Sequence, residues 1–123
     1  MEKIYTEKAP AAVGPYSQAA VINGLVYTSG QIALDPRTGE MVGKTIEEQA
    51  EQVMKNLVSI LEAAGTGPEK AVQTLCFLTD INDFAAFNAV YARYFTEKPA
   101  RSCVGVKSLP KGAVCEVEVI AAL

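Results

Sequence analysis

The sequence predicts an α/β two-layer sandwich: a mixed six-stranded sheet with two helices on one face. Three observations predict it. Apolar residues alternate in some stretches and recur every three to four positions in others, in the order β-β-β-α-β-α-β-β. Glycine and proline fall between these stretches, where turns belong. Both helical stretches lie between strands, and right-handed β-α-β passes put both helices on the same face.

Residues 3–6 form a short strand, and the Pro/Gly-rich stretch Ala9–Tyr16 that follows is a loop. Strands at 18–22 and 25–34 are joined at Asn23-Gly24, a pair that readily adopts the positive φ angles of a tight hairpin. A helix spans 46–64, because Thr45 and Glu48 make a capping box and Ile46, Ala50, Val53, Met54, Leu57, Ile60, Leu61 and Ala64 form one apolar stripe. Gly65 stops it. Residues 71–79 read as a strand covered on both faces. A second helix at 83–95 carries the stripe Phe84, Phe87, Tyr91 and Tyr94, and Pro99 prevents its continuation. Two final strands, 101–107 and 114–121, flank the loop Leu109-Pro110-Lys111-Gly112 as a hairpin.

Two helices cover one face of such a sheet. The other face holds many apolar residues with no further element to bury them, so the chain is expected to be a homo-oligomer. The 123 residues, 50% hydrophobic and 20% charged, suit one globular domain spanning 1–123. No apolar run reaches the roughly 20 residues that cross a bilayer. The N-terminal MEKIYTEKAP has no signal-peptide pattern, so a cytoplasmic location is expected. There is no histidine, which excludes Ser-His-Asp and Cys-His catalysis and His-ligated zinc. A net charge of −3 without a basic cluster speaks against nucleic acid as the main partner. Three cysteines with no C-x-x-C suit reduced thiols, and no phosphate loop or ligand cluster points to a metal or organic cofactor.

In the last two strands, the valine-bearing faces (Val104 and Val106; Val117 and Val119) are expected to coincide on the helix side. Arg101, Cys103, Glu116 and Glu118 then share the opposite face, in unknown register. A guanidinium there is either a hook for a carboxylate ligand or half of a structural Arg–Glu pair.

The segments Gly14-Pro15-Tyr16-Ser17-Gln18-Ala19, Thr28-Ser29-Gly30-Gln31-Ile32, Asn88-x-x-Tyr91-x-x-Tyr94-Phe95, Pro99-Ala100-Arg101-Ser102-Cys103-Val104 and Leu109-Pro110-Lys111 with Glu116 resemble those of the RidA (YjgF/YER057c/UK114) family, nearly end to end. The resemblance implies a chorismate-mutase-like sandwich assembled as a homotrimer, with sheets facing inward and clefts between subunits. It implies hydrolysis of reactive 2-imino acids or their enamine tautomers to 2-oxo acids and ammonia, with no cofactor. Arg101 would clamp the substrate carboxylate, and Glu116 would activate water and pass on a proton. Tyr16, Ser29, Gly30, Asn88 and Cys103 would line the substrate site. Glu118 rivals Glu116 on parity alone, and Asn88 could instead tie down a loop. A non-enzymatic carboxylate-binding or regulatory protein is the alternative function. An endoribonuclease fits poorly with the charge and the missing histidine.

Overall fold

The computed structural model describes residues 1–123. Strand β1 (Glu2–Ile4) pairs antiparallel with β2 (Ala19–Ile22). Asn23 and Gly24, with φ of 52° and 76°, then turn β2 back onto β3 (Leu25–Thr28). The two left-handed residues give the turn a twist that matches the strands it joins.

Helix α1 (Ile46–Ala63) starts where expected: Thr45 Oγ1 accepts the Glu48 N–H and Glu48 Oε1 accepts the Thr45 N–H. Its stripe, from Ala50 to Leu61, is buried on the sheet. Gly65, at φ 92°, lets the chain leave the helix. Strand β4 (Ala71–Leu78), helix α2 (Phe84–Tyr94), β5 (Ala100–Gly105) and β6 (Cys115–Ala122) follow.

The sheet order is β1-β2-β3-β6-β4-β5. Strands β3 and β4 both run antiparallel to β6, so they are parallel to each other and α1 is their crossover. Helix α2 is the crossover between the parallel neighbours β4 and β5. Both helices pack on the face that carries Val26, Thr74, Cys76, Val117 and Val119. No layer covers the other face, where Ile22, Tyr27 and Val104 remain 43%, 42% and 42% exposed.

Four expectations are corrected. The last two strands are not a hairpin: β4 lies between them. Strand β6 has partners on both sides, which suits its buried, apolar alternation, and β5 takes the edge. Face assignment therefore passes through β4. Arg101 and Cys103 register with Thr74 and Cys76, whereas Glu116 and Glu118 register with Phe77 and Leu75. Residues paired across a ladder share a face, so Arg101 and Cys103 lie on the helix side with Val117 and Val119, and Val104 lies on the open face. The expected grouping of Arg101, Cys103, Glu116 and Glu118 on one face does not hold. Strand β3 ends at Thr28, not 34, where its ladder with β6 breaks: the Val119 N–H goes to Thr28 Oγ1, and Gln31 then regains a single bridge to Val117. Strand β4 is covered on one face only, since Leu75 and Phe77 point to the open side and stay half-buried.

Candidate functional site

Glu116 stands on the open face, over the break in β3. The ladder between β3 and β6 closes at Tyr27–Ile120 and resumes at Gln31–Val117. Between them, Thr28 Oγ1 takes the Val119 N–H that a backbone carbonyl would otherwise accept. The gap leaves Gly30 directly under the Glu116 side chain: a Cβ built there would lie 2.5 Å from Glu116 Oε2. Glycine at position 30 thus leaves room for the Glu116 side chain in this position; its φ lies outside the left-handed region, so backbone conformation does not demand it.

Tyr16, Ser29, Gly30, Ile32, Pro110 and Glu116 line a cleft of about 350 Å³. Tyr16 is 53% exposed at its rim. Ser29 Oγ donates to Ser17 O at 2.6 Å, so its hydroxyl hydrogen is spent on the loop that carries Tyr16. Burial pushes the Glu116 carboxyl above its ordinary value, and the Glu118 charge beside it on the strand adds to the rise. A carboxyl raised in this way is better able to return a proton as well as to accept one.

Arg101 lies across the sheet, on the helix side at the edge strand. Its Nη1 donates to Asn88 Oδ1 at 2.6 Å. Its guanidinium carbon sits 4.7 Å from the Tyr91 ring centre and 5.3 Å from that of Phe84. Phe84, Asn88 and Tyr91 are spaced four and three apart, which places them on one helix face. No carboxylate of the chain lies within 4.0 Å of this guanidinium; the salt bridges are Arg37–Asp35 and Arg93–Glu51. Its aromatic and amide supports fix its direction without neutralising it. With Asn88, Tyr91, Phe95 and Lys98 it borders a second cleft of about 280 Å³.

The structure thus brings Tyr16, Ser29, Gly30 and Glu116 together, and separately brings Asn88 to Arg101. Cys103 is half-buried beside the core; burial raises its thiol and the Arg101 charge only partly opposes this. Cys76 and Cys115 are fully buried, their thiols pushed up to about 12 by burial. None of the three is poised as a thiolate. Glu118 faces a different hollow, lined by Gln73, Leu75 and Ile120. Ile32 and Pro110 as cleft walls, and Phe84 and Tyr91 as supports for Arg101, were not expected. The four-and-three spacing on α2 was the available signal for the aromatic pair. No three His, Cys, Asp or Glu side chains come together in a way that could hold a metal ion. No helix is long and apolar enough to cross a membrane.

A family model described as Endoribonuclease L-PSP matches residues 6–123. A RutC family protein of Synechocystis is 52% identical over 126 residues, covering all of this chain and 97% of that one. Reactive Intermediate Deaminase A, chloroplastic, of Arabidopsis thaliana is 48% identical over 123 residues, covering 99% of this chain and 66% of that one. The crystal structure of E. coli TdcF with bound serine superposes with a TM-score of 0.94 at 40% identity, covering all of this chain and 99% of that one. Taken with the order of motifs along the sequence, these similarities show that the chain belongs to the RidA (YjgF/YER057c/UK114) family, the family of the L-PSP model.

Proposed function

We propose that this protein hydrolyses 2-imino acids and their enamine tautomers (2-aminoacrylate, 2-iminopropanoate, 2-iminobutanoate) to 2-oxo acids and ammonia. The observation that carries this proposal is Glu116: a carboxyl of raised pKa, held over Gly30 in a cleft on the open sheet face. The name of the Arabidopsis relative, a reactive intermediate deaminase, supports the reaction class. The serine bound to E. coli TdcF supports a small ligand with a carboxylate.

Arg101 and Glu116 of one chain lie on opposite faces, so the working pair comes from two copies. The uncovered apolar faces pack together in a homotrimer, and the edge strand of one protomer brings Arg101 to the Glu116 cleft of its neighbour. Arg101 grips the substrate carboxylate through two parallel N–H···O bonds and so fixes the C=N carbon. Lysine would hold the same charge with less direction. Glu116, as carboxylate, takes a proton from a water as its oxygen bonds to that carbon. The C=N π electrons go to nitrogen, which takes that proton from Glu116, giving a carbinolamine and restoring the carboxylate. The C–N bond then breaks as the hydroxyl loses its proton, and ammonia leaves with a proton returned through Glu116. Imine, water, oxo acid and ammonia balance with no redox partner. Tyr16 lines the rim, and Ser29, Gly30, Asn88 and Cys103 shape the site.

The serine in E. coli TdcF equally suits a carboxylate-sensing protein with no turnover. One experiment separates the two. A dehydratase generates 2-aminoacrylate or 2-iminobutanoate in situ while oxo-acid release is followed with wild-type protein and with Arg101→Ala. Acceleration lost in Arg101→Ala, with a trimeric native mass, supports hydrolysis at a shared site. Tight carboxylate binding with no acceleration over buffer makes the protein a sensor. Full activity in Arg101→Ala, or a monomeric native mass, refutes the shared site.

A further inference from the structure

Three side chains with no role in the chemistry above share an unusual property. Gln18, Gln49 and Asn56 are 2%, 3% and 1% exposed, and each spends its amide on loop backbone. Gln18 Oε1 accepts the Thr6 N–H at 2.7 Å, while its Nε2 donates to the carbonyls of Thr6 (3.0 Å), Ala9 (3.3 Å) and Pro10 (2.8 Å). Those bonds tie down the base of the loop that ends in Tyr16. Asn56 Nδ2 donates to Ile32 O at 3.2 Å and Leu34 O at 3.0 Å, and Gln52 Nε2 holds its Oδ1 at 2.9 Å. Gln49 Oε1 accepts the Val114 N–H at 2.9 Å, and its Nε2 donates to Gly43 O at 3.2 Å. Val114 joins the Pro110 turn to Glu116.

Tyr16, Ile32 and Pro110 are three walls of the Glu116 cleft, each on a different irregular segment. Loops lack the ladder bonds that fix a strand, so their positions depend on such side-chain ties. We propose that Gln18, Gln49 and Asn56 are positioning residues: one buried amide behind each wall sets the shape of the cleft around Glu116. An amide suits the task because it donates and accepts at once and adds no charge near Glu116. Gln49 and Asn56 both project from α1, so the longest helix serves as the rigid back to which two walls are fastened.

The test replaces each amide in the full-length protein by an apolar side chain of similar size: Gln18→Met, Gln49→Met and Asn56→Leu. Leu57→Ala, from the same helix but packed only in the core, is the control for lost stability. Each amide variant is expected to lose kcat on 2-iminobutanoate about 10- to 100-fold, with KM changed less than about threefold, as a displacement near 1 Å predicts. Leu57→Ala is expected to lower Tm yet keep kcat per folded molecule. Amide exchange supplies a readout independent of turnover: the Val114 N–H in Gln49→Met and the Thr6 N–H in Gln18→Met exchange faster, while Val119 in β6 stays protected. Should Gln49→Met fail to fold, Gln18→Met with its Thr6 exchange, together with the kinetics of Asn56→Leu, carries the test. The kinetic arm rests on the hydrolysis proposed above; the exchange arm does not. Wild-type protein without turnover refutes the hydrolysis alone. Amide variants that lose kcat only in proportion to their folded fraction, as the control does, or unchanged exchange at Val114 and Thr6, overturn the positioning role.

Discussion

Gly30→Ala isolates the placement of the Glu116 carboxylate from every other property of the site. The alanine Cβ would fall 2.5 Å from Glu116 Oε2, 2.9 Å from Cδ and 3.1 Å from Cγ. An ordinary contact needs about 3.5 Å, so the carboxylate must retreat by about 1 Å. The backbone does not resist alanine, because φ at position 30 is not in the left-handed region. The obstructing atoms end a flexible side chain on an open face, so the fold absorbs the change by moving that side chain. Replacing glycine at a compatible φ even offers about 0.4–1 kcal/mol through the unfolded state. Tm should therefore move by no more than a few degrees. A 1 Å misplacement of a group acting on an attacking water costs about 100-fold. The assay is release of 2-oxobutanoate from enzymatically generated 2-iminobutanoate, with thermal unfolding measured on the same samples. Wild-type turnover in a folded Gly30→Ala protein would refute the idea that Glu116 acts from its position over Gly30.

Other outcomes follow from the same geometry. Arg101→Lys keeps the charge but loses the two-pronged grip and the flat stacking on Tyr91, so kcat/KM should fall by about 100-fold; a loss under threefold would show that charge alone suffices. Glu116→Gln should abolish turnover yet stabilise the protein above the ordinary carboxyl value of 4.5. The sign follows from linkage: a carboxyl raised on folding favours the native state below its unfolded value, and that advantage is lost as pH rises through the folded value. The glutamine does not ionise, so the Tm difference in its favour should grow as pH rises from 4.5 through the folded value and then level off; a difference constant across that rise would contradict the burial of Glu116. Cys103→Ser should retain turnover within about threefold, because burial keeps that thiol protonated, and complete loss would mark it as a nucleophile.

Local chemistry wrote much of the fold into the sequence. The Thr45–Glu48 box, the Asn23-Gly24 turn and the stripe of α1 each depend on residues within a few positions, and each is found where expected. The end of β3 was harder to see, because Thr28 and Ser29 are ordinary strand residues. What stops the strand is the capture of the Val119 N–H by Thr28 Oγ1, which interrupts the ladder with β6. That is a contact with another strand, and no periodicity within 25–34 encodes it.

The face of Arg101 went astray for a related reason. Alternation states which residues of a strand share a side, but aligning two strands requires knowing what lies between them. The final pair looks like a hairpin because only a short loop separates its members and both carry valines. The deciding fact is the α2 crossover, which lays β5 parallel to β4 and leaves β6 to fill the centre between β3 and β4. Val104 then becomes an exposed edge residue on the open face, and Arg101 turns toward Phe84, Asn88 and Tyr91. That same crossover changes what the site has to be. Had both groups shared a face, one chain could have supplied anion clamp and carboxyl alone. With the sheet between them, the proposed hydrolysis makes a guanidinium without a carboxylate neighbour and a carboxyl over an open cleft two half-sites, each to be completed by a second copy. In that proposal the uncovered apolar face supplies the adhesive for the second copy, so a loss of assembly and a loss of turnover should go together.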